Sequence, residues 1–110
     1  MSMYASYIRE HRNDEIIETE HGFVTYRYLN EGKTVYIVDI FVMRDFRKTK
    51  EASNMADAVV EKAKALGAKE LIGTVVPTAK NSTDSLKVLL AYGMELSHIA
   101  EGMVVFRKDI

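Results

Sequence analysis

The stretch Val35–Ser53, VYIVDIFVMRDFRKTKEAS, decides how this chain folds. Its first half belongs to an apolar run, TVYIVDIFVM over 34–43, broken only by Asp39. A run apolar at both parities reads as a strand covered on both faces, the kind found in the middle of a sheet. Its second half carries Arg44, Arg47, Lys48 and Lys50, holds no glycine, and opens a helix. The amides of a first helical turn lack partners and lie at the positive end of the helix dipole, so a basic turn here suits an anion. The plainer reading of the same residues is a solvated helix start.

Outward from this stretch the elements follow by periodicity. Ala52, Met55, Ala56, Val59, Val60, Ala63 and Leu66 recur at spacings of three and four, which predicts a helix over 50–66 with one apolar stripe. Gly67 stands where a helix stops. On the N-terminal side, GFVTYRYL (22–29) and the turn signal Asn30-Glu31-Gly32-Lys33 predict an antiparallel hairpin with 34–43. EIIET (15–19) reads as a short strand, and residues 3–12 as a short helix with Tyr4, Tyr7 and Ile8 on one side. On the C-terminal side, ELIGTVV (70–76) is a buried-type strand ended by Pro77. TAKNS (78–82) is a loop, and a helix follows to Tyr92 with Leu86, Leu89 and Leu90 on one face and Gly93 as its stop. The tail reads as two strands turning near Ala100-Glu101-Gly102. Strand 34–43, helix 50–66 and strand 70–76 form a βαβ unit with parallel strands. The expected class is α/β (α+β): a central mixed sheet with helices on both faces.

The totals bound the function. A chain of 110 residues, 47% apolar and 28% charged, has the balance of one soluble globular domain. With a net charge of −1, nothing global draws it to nucleic acid. The absence of cysteine removes disulfides, thiolate metal sites and a cysteine nucleophile, and is compatible with the cytoplasm. His11, His21 and His98 match no metal-ligand spacing, so no metal is expected. No run is long and apolar enough to span a membrane.

Over about residues 22–106, and most strongly across VYIVDIFVMRDFRKTKEAS and the helix after it, the chain resembles the GNAT N-acetyltransferases. In that family a central strand ends in a valine, and R/Q-x-x-G-x-G/A opens the next helix. Arg47-Lys48-Thr49-Lys50-Glu51-Ala52 falls in that register, with Arg47 and Ala52 matching and Lys50 at the first glycine. Counting back from Gly93-Met94, the family's helical N-x-x-A-x-x-x-Y falls on Ser82, Ser85 and Leu89. Leu89 thus takes the place of the tyrosine that often protonates the leaving thiolate. Tyr92 is the neighbouring phenol, about 60° around the helix. Fewer residues precede Gly22 than the family usually has. The chain looks like a shortened member, similar to small acetyltransferase-like proteins of tailed bacteriophages and bacteria.

The resemblance implies acetyl-coenzyme A as co-substrate and an amine acceptor, a small molecule or a protein. Ile40, Phe41 and Val42 would offer backbone to the pantetheine arm. Arg47, Lys48, Thr49, Lys50, Glu51 and Ala52, with Ser53 at the edge, would hold the pyrophosphate. Asp39, three positions before the valine, would bind or deprotonate the amine, with Tyr92 as candidate acid. The other reading of Asp39 is a structural bond to a nearby amide, Arg27 or Arg44. Two rivals stay open. One is a family relative that has lost catalysis and serves as an interaction module, favoured by Lys50 and Leu89. The other is a small nucleic-acid-binding protein using Tyr26, Arg27, Tyr28 and the 44–50 patch. A homodimer that completes the acceptor site is a further expectation.

Overall fold

The computed structural model describes residues 2–47, 49–78 and 82–110, and the side chains of 82–85 lie outside that description. Six strands form one mixed sheet in the order β1-β2-β3-β4-β6-β5. They are β1 (Glu15–Glu18), β2 (Gly22–Leu29), β3 (Thr34–Val42), β4 (Glu70–Val75), β5 (Glu95–Ala100) and β6 (Met103–Asp109). The helices are α1 (Met3–Tyr7), running on into a π-helical turn at Ile8–Arg12, α2 (Glu51–Ala65) and α3 (Ser82–Ala91). Among the described residues no helix is long and apolar enough to cross a membrane.

β3 is central, as its two apolar faces demand. It pairs antiparallel with β2 and parallel with β4. The turn between β2 and β3 takes positive φ at Asn30, Glu31 and Gly32, so the glycine supplies only the last of three left-handed residues. The C-terminal hairpin does not simply append to β4. β6 lies between β4 and β5, which leaves β5 as an edge strand.

One face of the sheet carries most of the core. Val24, Tyr26, Val35, Leu71, Val75 and Phe106 meet Met55, Val59 and Ala63 of α2 there. Val24, Val35, Val59 and Leu71 are wholly removed from water, and a side chain of that size contributes about 1.5–3 kcal/mol when buried. α3 packs on the same face. A Cβ built on Gly73 would meet Leu89 at 3.2 Å, and Tyr92 donates to Asp57 Oδ1 of α2 at 2.6 Å. Helices do cover both faces, but α2 and α3 share one, and α1 with its π turn covers the other through Ala5 and Ile8.

Three apolar stripes differ from the sequence expectation. Leu66 is 71% exposed, because the helix ends before it and the chain turns at Gly67. Among the described side chains of α3, Leu89 faces the core, while Leu86 and Leu90 are open to solvent. In α1 the buried side is Ala5 and Ile8, with Tyr4 and Tyr7 outside.

The Tyr26-Arg27-Tyr28 triplet offers no stacking platform. Tyr26 is 4% exposed and belongs to the core, with Tyr28 partly buried against it. Burial, first, pushes the Tyr26 phenol up to about 12. Arg27 points to the opposite face, where Nε and Nη2 donate to Asp14 Oδ1 and Oδ2 at 2.7 and 3.1 Å.

Candidate active site

The parallel pairing of β3 with β4 covers only Thr34–Ile37 against Glu70–Gly73. Beyond it, β3 continues to Val42 along β2, and β4 continues to Val75 along β6. The two strands therefore part. The cause lies in β3. Tyr26 faces Ile37 and Thr25 faces Asp39, so Val38 is an extra residue with no partner of its own on β2. A bulge bends its strand and adds twist, and it falls where the pairing with β4 stops.

The freed edge of β3 has a definable polarity. The Met43 amide donates to the His21 carbonyl at 2.7 Å. In an antiparallel ladder this makes Gly22 and Val42 a non-hydrogen-bonded pair, whose own N–H and C=O turn away from each other. Val42 thus presents its backbone groups on the side from which β4 has departed. Only glycine fits opposite it, since a Cβ on Gly22 would lie 2.0 Å from the Phe41 carbonyl oxygen. The Val42 carbonyl accepts from Arg47 Nε at 2.9 Å, and the Arg47 guanidinium lies 5.8 Å from the centre of the Phe41 ring.

Between β3 and α2 the chain makes a 3-10 turn at Arg44–Phe46. The Thr49 hydroxyl donates to the Phe46 carbonyl at 2.6 Å and accepts from the Glu51 amide at 3.2 Å. Asn54 N–H to Lys50 C=O, 2.8 Å, is the first bond of α2. The amides of Ala52 and Ser53 precede it, so by helix geometry they have no acceptor within the helix. Lys50 holds φ −88°. The missing glycine therefore costs no backbone strain, although a Cβ remains at that position. Lys48 lies outside the described residues. Arg44 and Lys50 are exposed and, among the described residues, make no side-chain hydrogen bond or ion pair. Glu51 is drawn aside: its Oε1 faces His21 Nδ1 at 3.2 Å, and the His21 ring stacks on Phe46 with centroids 3.6 Å apart. The stretch thus sets exposed Arg44 and Lys50 beside a helix N-terminus, with the Glu51 carboxylate held by His21 and the Asp45 carboxylate exposed in the 3-10 turn.

Asp39 lies on the face opposite α2 and α3, in register with Thr25. It bonds neither to Arg27, which is committed to Asp14, nor to Arg44. Its side chain reaches solvent, but surrounding protein mass raises its pKa by desolvation. Arg12 partly offsets this, and Asp14 reinforces it. Tyr92 is on the other face, with its hydroxyl on Asp57 and the Lys108 ammonium 4.5 Å from its ring centre. Its phenol is raised well above the usual range, first by burial and then by the Asp57 bond. Among the described residues no cluster of ligating side chains could hold a metal ion.

Three arrangements escaped the sequence. His21 meets Glu51 from thirty positions away, with no local signal. The Asp14–Arg27 pair joins the end of the π turn to β2, and the left-handed Asn13 before it (φ 56°) is the one visible hint. The Thr49 turn was legible in principle, as a hydroxyl two residues before Glu51, whose amide it accepts from.

The profile of the Acetyltransferase (GNAT) family matches residues 7–92. The chain belongs to that family. The strand parting and the basic helix entry of this GNAT chain fall inside the matched region. No curated protein matches the sequence. Solved structures do match the fold. One is a proposed GNAT acetyltransferase from Desulfovibrio desulfuricans, with TM-score 0.78 and 10% identity over 94% of this chain and 74% of that one. A Bacillus subtilis acetyltransferase in complex with CoA gives TM-score 0.71 and 19% identity over 96% and 82%. A GNAT acetyltransferase from Elizabethkingia anophelis with acetyl-CoA bound gives 0.72 and 18% over 96% and 82%. At these identities the likeness speaks for the GNAT fold.

Proposed function

We propose that this protein transfers an acetyl group from acetyl-coenzyme A directly to an amine. The carrying observation is the open edge of β3 above the basic entry of α2. An extended arm with amide groups can pair with Val42 as a strand would. Its pyrophosphate then meets the Ala52 and Ser53 amides, with Arg44, Arg47 and Lys50 beside it and Thr49 shaping the loop. The residues fit the co-substrate with one adjustment, that Arg47 leaves the Val42 carbonyl, while Glu51 keeps its place on His21. Two crystallised relatives in fold carry CoA or acetyl-CoA, which supports the same reading.

In the transfer the amine nitrogen attacks the thioester carbonyl, the new C–N bond forms, and the C–S bond breaks. Asp39 takes the amine proton, a task for which a carboxylate raised by desolvation is suited. The departing thiolate takes a proton from Tyr92 or from water. Tyr92 serves only if it releases Asp57. The acceptor is an amine, a cytoplasmic setting supplies acetyl-coenzyme A, and β5 offers an edge for a second copy. The alternative is a relative that binds without turnover. It is favoured by Leu89 at the acid position, packed against Gly73, and by Arg47 plugging the Val42 carbonyl.

Calorimetric titration with acetyl-coenzyme A and coenzyme A tests this. Binding is expected in the micromolar range typical of such co-substrates, weakened severalfold by Lys50→Glu. No binding at millimolar ligand overturns the proposal. Binding with no acetylation of any amine in a broad panel leaves the interaction module.

A further inference from the structure

The face of the sheet that bears Asp39 also carries an aromatic ledge. Phe23 and Phe41, opposite each other on β2 and β3, stack with centroids 5.5 Å apart and planes 26° apart. Tyr4 of α1 adds a third ring, 5.1 Å from Phe23. Rings gather to leave water, yet Tyr4 remains 41% and Phe41 43% exposed. The ledge has an open side.

Asp39 lies two residues before Phe41 on the same face, about 7 Å along the strand. Among the described residues its carboxylate has no hydrogen bond or ion pair. At the other end of the ledge stands the Arg47 guanidinium, 5.8 Å from the Phe41 ring centre. A cation arriving here is repelled at the Arg47 end and attracted by Asp39 at the other, an attraction that the nearby Arg12 charge reduces. The ledge thus has a direction, with an anion at one end, rings in the middle and a cation beyond.

We propose that Asp39 and this ledge select the acceptor: a primary amine joined by a short linker, about one to three carbons to match the strand spacing, to an aromatic or similarly flat apolar group. Its ammonium lies against Asp39 and its ring against Phe41, with Phe23 and Tyr4 behind. A polyamine would carry its second ammonium past the rings to the Arg47 guanidinium, which repels it, and an alkylamine would gain area without ring-on-ring geometry. That the bound amine is then acetylated rests on the transfer reading above. That it binds does not.

The experiment is a calorimetric titration of 2-phenylethylamine, n-hexylamine and spermidine into the full chain, with and without saturating coenzyme A. The expected order is 2-phenylethylamine first, hexylamine roughly three- to tenfold weaker, the worth of one aromatic pair, and spermidine weakest. Phe41→Leu and Tyr4→Ala should each narrow the gap between the aryl and alkyl amines. Asp39→Asn should weaken all three. Equal affinity for the aryl and alkyl amines, or no binding of either, overturns the proposal. A Phe41→Leu variant that keeps its aryl preference and loses coenzyme A instead assigns the ledge to the co-substrate, and overturns it too. Failure of coenzyme A to bind removes the transfer reading, while the amine titration alone still decides the ledge.

Discussion

Asp39 is where one residue carries most of the argument. In the sequence it stood out as a charge in an apolar run, and that much was legible. Its two possible fates were a structural bond or a reactive carboxylate, and no sequence rule separates them. The structure gives Arg27 to Asp14 and, among the described residues, leaves Asp39 without a hydrogen bond or ion pair. Desolvation raises its pKa, so folding makes its carboxylate somewhat harder to ionise than in the unfolded chain. Such a carboxylate favours folding at acid pH, and that contribution is lost as pH rises through its raised pKa. At neutral pH the charge is a small liability. Asp39→Asn should therefore melt at the same temperature as the parent or higher at pH 7, by calorimetric scan, while acetyl transfer falls by a factor of roughly a hundred or more, the scale of general-base catalysis. The acid limb of kcat/KM should lie above the ordinary aspartate range. A variant that is both active and less stable would show Asp39 to be structural.

At the scale of elements, α2 was readable almost to its ends because its stripe recurs over four turns and Gly67 stops it. α3 was readable as a helix but not as a face. Leu86, Leu89 and Leu90 look equivalent in sequence, and the decision among them belongs to β4, where Gly73 opens a gap that Leu89 fills. The tie between the two helices is the Tyr92–Asp57 hydrogen bond at 2.6 Å. Tyr92→Phe and Asp57→Ala should each cost about 1 kcal/mol, and the double variant should cost less than the sum. Urea midpoints read this. If Tyr92→Phe removes transfer at unchanged stability, its hydroxyl belongs to the chemistry rather than to the helix pair.

For the whole molecule, the βαβ unit and both hairpins followed from local pattern, but the strand order did not. Nothing in the tail tells β6 to enter between β4 and β5. Inserting β6 leaves β5 at the margin, with Leu96 64% and Ile99 74% exposed. An edge with apolar side chains is a pairing surface. Self-association through β5 should show as a dimer mass in sedimentation at high concentration, abolished by Leu96→Lys with Ile99→Lys at little cost in stability. A monomer throughout removes the homodimer. The last consequence belongs to Val38. Counting by twos from Val35 puts Asp39 inward with Ile37, and counting back from Val42 puts it outward. The chain contradicts itself by one residue, and Val38 is that residue. Deleting it would leave Asp39 opposite Thr25 and every flanking side chain on its present face. The healed β3 would run straight and could stay zipped to β4. The expected product of that single-codon loss is a folded protein, more resistant to urea than its parent, that no longer takes up coenzyme A. In this chain the difference between a closed sheet and an open one is a matter of reading frame within a strand, so β3 depends on its length as well as on its residues.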